Sequence, residues 1–414
     1  MIRIVPSSNK RAVSDLLSAT RIRDAATTRR AARIVNDVRT QGDRALRRYA
    51  NELDELTSPI EVPREEWVQA ARTVPRAVRL ALKQSARHIR HVARAQLPRA
   101  FRTTVAPGVV VEQRIIPLDR VGCYVPGGLY PLPSSLLMTA IPARTAGVAE
   151  VMVVCPRPQP VVLAAALEAG VDRLFRIGGA HAVSALAYGT TLVPRVDKIV
   201  GPGNRWVSAA KALVSADCAI DFYAGPTEIL IVAARGPSDW IAADLIAQAE
   251  HDPDARAVLI TPSRRLAQQV ARDVERLSPA DGPALVSLSR HGGIVVTRTL
   301  REAMTLANAA AAEHLVVESE ALARQVRSAG AVFVGPWTAQ VAGDYAIGSN
   351  HVLPTAGAAR FRGGLNAADF VRVVSVQRLT RRGLARLAPT VTTLARAEGL
   401  DSHARSIDMR MLKG

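Results

Sequence analysis

Cysteine, aromatic residues and lysine are all scarce in this 414-residue chain, and each scarcity excludes something. Cys123, Cys155 and Cys218 are odd in number and far apart, which argues against a disulfide framework and a cysteine-rich zinc site. Cys155 closes the apolar run "EVMVVC" and reads as a buried strand thiol. Any metal would therefore need His, Asp, Glu or Gln ligands. No stretch reaches the roughly 20 uninterrupted apolar residues of a membrane span, and the opening "MIRIVPSSNKR" lacks the apolar segment of a signal peptide. A cytoplasmic location is the expectation.

What is abundant is arginine. The formal charge is +18, yet lysine occurs only at Lys10, Lys83, Lys198, Lys211 and Lys413. A basic nucleic-acid-binding protein is one reading of such a balance. Against it, aromatics make up only 4%, too few for base-stacking platforms. The arginines also recur at helical spacing among Ala and Leu, as in "TRRAARIVNDVRTQGDRALRRYA", which favours solvated helix faces. The excess charge can still draw anionic cofactors. With 48% hydrophobic residues the chain can bury a sizeable core and should divide into two or more domains.

Residues 1 to about 100 read as helical, with apolar residues at three and four spacing in "REEWVQAARTVPRAVRLALKQSARHIRHVARAQL"; His88 and His91 there read as exposed. From about 105 come β-rich runs such as "GVVVEQRIIPL" and "RVGCYV", then a repeated alternation. "EVMVVC" precedes "VVLAAALEAG", "RLFRIGG" precedes "AHAVSALAYG", and "DKIVGPG" precedes "NRWVSAAKALVSA". "EILIVA" precedes "SDWIAADLIAQAEH", and the pattern continues to "EHLVVE" with "EALARQVRSAG". Apolar strands alternating with amphipathic helices predict an α/β fold of two doubly wound, incomplete Rossmann-like parallel sheets. The expected division is 1–118 plus 228–370 as one α/β domain carrying the N-terminal helices, 119–227 as a nucleotide-binding α/β domain, and 371–414 as a small helical arm.

Four glycine-bearing turns punctuate the middle of the chain: "VPGGLYPLPSS" at 125–135, "GGAHA" at 178–182, "GPGN" at 201–204 and "AGPTE" at 224–228. Glycines between strand and helix let backbone N–H groups approach a phosphate. None is a full G-x-G-x-x-G fingerprint, but four at equivalent ends of parallel strands would form one wall of a nucleotide crevice. A second group is rich in imidazole and carboxylate: "QAEH" at 248–251, "AEHL" at 312–315, "GDYAIGSNHVLPT" at 343–355 and "AEGLDSHA" at 397–404. Together these offer ligands for zinc plus separate acid and base groups. At about 100° per helical residue, Gln248 and His251 lie about 60° apart while Glu250 points some 100° from His251. If "QAEH" binds a metal, Gln248 rather than Glu250 is the partner of His251, and Glu250 has at most an outer role.

Taken in order, these motifs resemble those of the histidinol dehydrogenase family over nearly the whole chain. The likeness runs from "GDRALRRYA" through "GCYVPGGLYPLPSSLLM", "GGAHAVSALAYGT", "VDKIVGPGNRWVSAAK", "AGPTEILIVA", "LIAQAEHDPDA", "AEHL" and "AGDYAIGSNHVLPT" to "SHA". The resemblance implies one zinc per subunit on Gln248, His251, Asp344 and His403, with His403 supplied by the partner in a domain-swapped homodimer. It implies two NAD-linked oxidations of histidinol, through the aldehyde to the acid, with His314 as general base and Glu313 activating water. Thr227, His351 and Glu398 join the zinc ligands and His314 in contacting substrate, and Tyr124, His181 and Asn204 take the NAD-contacting positions. Three positions depart from the common family pattern: Thr227 for Ser, Ala312 for Pro, which should loosen the turn before the catalytic pair, and His181 for Gln. The last turns a neutral amide contact into a titratable one. Relatives with the same zinc frame oxidise other small polar alcohols such as sulfonated diols; Glu398 as an imidazole-binding acid favours histidinol.

Overall fold

The computed structural model describes residues 2–18, 24–127, 130–223 and 225–412. Gly128 and Leu129 of the first glycine turn and Ala224 of the fourth lie outside the described residues. Packing divides the chain into two units, Met1–Gln96 with Asp119–Phe370, and Leu97–Leu118 with Val371–Gly414.

The first unit contains two parallel sheets. One has six strands in the order Arg3–Pro6, Gly293–Val296, Arg256–Thr261, Glu228–Val232, His314–Val317 and Ala331–Val334. Its central strands Glu228–Val232 and Arg256–Thr261 are buried at every position, because helices cover both faces. The chain builds outward from Glu228–Val232 in one direction and then crosses to its other side at His314–Val317, so the strand order reverses between these two neighbours. The other sheet has five strands in the order Arg173–Phe175, Glu150–Val154, Arg120–Tyr124, Lys198–Val200 and Ala219–Ile220. Here the order reverses between Arg120–Tyr124 and Lys198–Val200. A reversal opens a crevice, because the connections on its two sides leave in opposite directions.

The N-terminal segment behaves differently from its sequence expectation in two ways. Arg3–Pro6 is a strand that pairs with Gly293–Val296 at the edge of the six-stranded sheet. The helix Lys10–Leu17 stays with the six-stranded sheet, where Val13 and Leu16 share a core with Leu230 and Val258, but the helices from Ala25 to Gln96 pack on the helices of the five-stranded sheet rather than in the domain to which they were assigned. Ala31, Ile34, Val35 and Val38 of the helix Ala25–Gln41 share one core with Ala180, Val183, Leu186 and Ala187 of the helix Gly179–Tyr188. The reason is steric: an alanine-rich helix lets a second helix approach closely, and the buried Ser184 Oγ donates to the Val35 carbonyl at 2.8 Å.

The second unit keeps the boundary at 118 but takes Leu97–Leu118 out of the domain expected to hold 1–118. Phe101–Ala106 and Val109–Pro117 belong with the C-terminal segment, which begins with a strand and not a helix: Val371–Leu379 pairs antiparallel with Val109–Pro117, and Phe101–Ala106 lies on the other side. The helices Arg381–Ala397 and Asp401–Leu412 follow and pack on each other. Phe101, Val105, Val373, Leu394, Met409 and Leu412 of this unit are exposed. Among the described residues no helix is long and apolar enough to cross a membrane.

Candidate active site

The polar cluster forms at the amino ends of the six-stranded sheet, beside its order reversal. Thr227 and Glu228 enter one central strand and Glu313 and His314 enter its neighbour, with His314 in register with Ile229. The turn into Glu313 is pinned although Ala312 replaces the common proline: Gly330 N–H donates to Ala312 O and Ala331 N–H to Glu313 O, each at 2.9 Å.

Three side chains and one backbone N–H then interlock. Glu313 Oε2 accepts from the Glu228 backbone N–H at 2.9 Å and from Thr227 Oγ1 at 2.6 Å. Thr227 Oγ1 accepts in turn from Gln248 Nε2 at 2.6 Å. Gln248 has no exposure, and its Oε1 has no hydrogen-bond partner. Burial pushes the Glu313 carboxyl well above the ordinary carboxylate range, against the two hydrogen bonds that favour its ionised form.

His314 is placed to accept a proton. Its Nδ1 lies 3.2 Å from the Glu228 carbonyl, which can only accept, so Nδ1 carries the hydrogen and Nε2 the lone pair. That Nε2 is buried without a hydrogen-bond partner, 3.8 Å from Asp344 Oδ1. Burial lowers the His314 pKa to about 4, opposed chiefly by the Asp344 carboxylate, so the ring is neutral at physiological pH.

The same tautomer logic applies to His251. The helix Ser238–Ala249 stops before it, so helical angles do not reach His251; instead its N–H reaches back to Gln248 O at 3.4 Å. Its ring Nδ1 lies 3.1 Å from the Ala247 carbonyl, which leaves Nε2 as the atom able to coordinate. Glu250 caps the helix and is exposed. Asp344, near the end of the helix Gln340–Tyr345, accepts at Oδ2 from Gln340 Nε2 at 2.9 Å. His351 Nδ1 bonds the Asp344 carbonyl at 3.0 Å, and its Nε2 meets Ser135 Oγ at 3.2 Å; burial lowers its pKa. His251, His314, His351 and Asp344 are close enough for their charges to act on one another.

Among the described residues no three His, Cys, Asp or Glu side chains converge on a metal position by themselves. The Gln248 amide oxygen, the His251 imidazole and the Asp344 carboxylate are the candidate cation donors of this cluster, and Gln248 Oε1 and His314 Nε2 are buried without a hydrogen-bond partner. Glu398 and His403 belong to the second unit and are exposed on it.

The second constellation lies at the carboxyl ends of the five-stranded sheet, again beside an order reversal. Tyr124 ends one strand, and "GPGN" follows its neighbour. Gly201 has φ +115°, and a Cβ there would collide with the Tyr124 carbonyl. A buried Lys211–Asp221 pair clamps this glycine: Lys211 Nζ donates to Gly201 O at 3.0 Å, and Gly201 N–H donates to Asp221 Oδ2 at 2.7 Å. Asn204 caps the helix Arg205–Val214, its Oδ1 accepting from Trp206 and Val207 N–H at 3.0 and 3.2 Å. Tyr124 Oη accepts from Gly179 N–H at 3.0 Å, and burial pushes its phenol up.

His181, fully buried, places Nε2 2.8 Å from Asp54 Oδ2, which also accepts from Gly178 N–H; its Nδ1 has no hydrogen-bond partner. Tyr124, His181 and Asn204 line one cleft of ≈ 390 Å³ with Arg30, Asp54 and Trp206. Of the four glycine turns only three stand at this wall. "AGPTE" precedes its strand and belongs to the amino-end cluster.

Four participants escaped the sequence reading. Gln340 was signalled by its i, i+4 spacing to Asp344 on one short helix. Asp54 lies 127 residues from His181, and Lys211 finds Asp221 only through the fold, so neither carried a local signal.

The profile of the histidinol dehydrogenase family matches residues 18–411. The chain belongs to that family. The histidinol dehydrogenase of Nitrosomonas europaea is 44% identical over 402 residues, covering 94% of this chain and 93% of the relative. That of Halobacterium salinarum is 46% identical over 390 residues, 92% of each. The crystal structure of histidinol dehydrogenase from Elizabethkingia anophelis superposes with a TM-score of 0.93 at 29% identity, over 100% of this chain and 98% of the other. Membership in the histidinol dehydrogenase family places the amino-end cluster and the carboxyl-end cleft in one oxidoreductase.

Proposed function

We propose that this histidinol dehydrogenase family member oxidises histidinol through histidinaldehyde to histidine, the last step of histidine biosynthesis, using zinc and two NAD in the cytoplasm. The observation that carries the reading is the pairing of an unpartnered, neutral His314 Nε2 with an unpartnered Gln248 Oε1 at one polar cluster. The donor set fits zinc: Gln248 Oε1, His251 Nε2 and Asp344 Oδ1 are two oxygens and an imidazole, with the partner subunit's His403 as the fourth ligand. Zinc, when bound, would steady the alcohol oxygen and ease its deprotonation, and NAD would accept hydride.

The protein's own part is proton handling and placement. His314 Nε2 takes the hydroxyl proton, its Nδ1–H held by the Glu228 carbonyl so that the lone pair stays aimed at the site. Glu313, its Oε2 fixed by two donors, is held in place to activate the water that hydrates the aldehyde. His351, with Thr227 and the partner subunit's Glu398, contacts the substrate's polar groups. Tyr124, His181 and Asn204 hold NAD in the carboxyl-end cleft. The second unit's exposed apolar side chains support a homodimer in which that unit is exchanged.

The test is NADH counted per histidinol consumed by the purified protein. Two NADH, lost with a chelator and regained with zinc, are expected; oxidation of a sulfonated diol in preference to histidinol would overturn the substrate. In the same assay, hybrid dimers of His251→Asn and His403→Asn subunits should recover activity that neither homodimer has, and no recovery would remove the exchange of His403.

A further inference from the structure

We propose that Thr227 is a positioning residue that decides which atom of the Gln248 amide faces the metal; this rests on the zinc reading above. A threonine hydroxyl has one proton to give. Glu313 Oε2 already accepts the Glu228 backbone N–H at 2.9 Å, so it is the accepting oxygen of that carboxyl, and the Thr227 proton is committed to it at 2.6 Å. Thr227 Oγ1 can then only accept from its other neighbour. At 2.6 Å that neighbour is the Gln248 amide, which must present Nε2.

The opposite face of the amide follows by elimination. Oε1 points away from Thr227, is buried, and has no partner in the protein. A flipped amide would set an oxygen against an oxygen at Thr227 and turn two N–H donors toward the cation, which cannot coordinate through them. A weak neutral ligand becomes dependable because a hydrogen-bonded chain running from the backbone through Glu313 and Thr227 gives it one orientation. The same chain leaves Thr227 without a proton for substrate, so any substrate contact there is by acceptance only.

Two features of Thr227 suit this work. Its β-branch restricts χ1, so the hydroxyl is held more firmly than that of a serine. It also stands at the entry to a fully buried strand, where the neighbouring backbone is fixed on both sides.

The experiment measures zinc affinity of the full-length protein without substrate, by competition with a chromophoric chelator. Thr227→Val, which keeps the shape and removes the hydroxyl, should weaken zinc binding about 10- to 100-fold. Thr227→Ser should stay within about threefold of the parent, since it retains the hydroxyl. In a Gln248→Glu background, whose carboxylate has no wrong face, Thr227→Val should cost less than about threefold further. Unchanged affinity in Thr227→Val beside a zinc-binding parent overturns the inference alone. So does an equal loss in both backgrounds, which would assign the hydroxyl to packing. A parent that binds no zinc overturns the zinc reading and the inference together. If Thr227→Val does not fold, Thr227→Ala carries the same expectation.

Discussion

The two parallel sheets of the first unit each place a polar site beside a reversal of strand order, but at opposite ends of their strands. At the carboxyl ends of the five-stranded sheet the site is built of glycine turns locked by side chains, with Gly178, Gly179 and Gly201 donating their N–H groups to Asp54, Tyr124 and Asp221. At the amino ends of the six-stranded sheet it is mostly side chains, with Thr227, Gln248, Glu313 and His314 joined through hydrogen bonds to strand-entry backbone. The difference teaches what each end is suited to. Locked glycine turns let a ligand approach the backbone closely, whereas proton transfer and metal coordination need tuned side chains held by rigid strands.

Substitutions should separate the two ends. The largest effect is expected from His314→Asn, which should lower kcat for the first oxidation by about 10²- to 10⁴-fold while zinc content and NAD affinity hold. Loss of metal from this variant would make His314 a ligand instead. Next comes Gly201→Ala. With φ at +115° and the Tyr124 carbonyl in the way, the added methyl should raise KM for NAD about tenfold or more and leave zinc affinity untouched. Equal damage to both measurements would dissolve the division of labour. The smallest effect concerns the thiols: burial pushes Cys123 and Cys155 up to about 12 and Cys218 up to about 11. They therefore stay protonated through pH 9, and native protein at pH 8 should react with thiol reagents only as fast as it opens, with activity retained after treatment. Rapid labelling with loss of NADH production would bring a thiol into the cofactor end.

Much of this arrangement was legible in the sequence, because it is written locally. The alternation of apolar runs with amphipathic helices predicts the parallel strands, whereas the helical angle drawn between Gln248 and His251 does not apply, because the helix ends at Ala249. What was not legible depends on partners brought in from elsewhere. "AGPTE" looks like its three fellow turns, but a turn before a strand and a turn after one carry the same residues. The strand Val371–Leu379 lies in a stretch read as a helical arm, since its partner Val109–Pro117 is remote in sequence. The N-terminal helices display an apolar stripe without saying which layer it will meet.

That remote pairing also has a bearing on how the molecule comes into being. Arg372 meets Pro117 at a sequence separation of 255. On a ribosome adding about 5–20 residues per second, the hairpin of Phe101–Ala106 and Val109–Pro117 waits roughly ten to fifty seconds for its third strand to be made. Throughout that interval the edge of Val109–Pro117 is an open template, available to any strand that passes. The two parallel sheets can close while synthesis continues, whereas the unit bearing Glu398 and His403 waits for the strand Val371–Leu379 and the helices behind it.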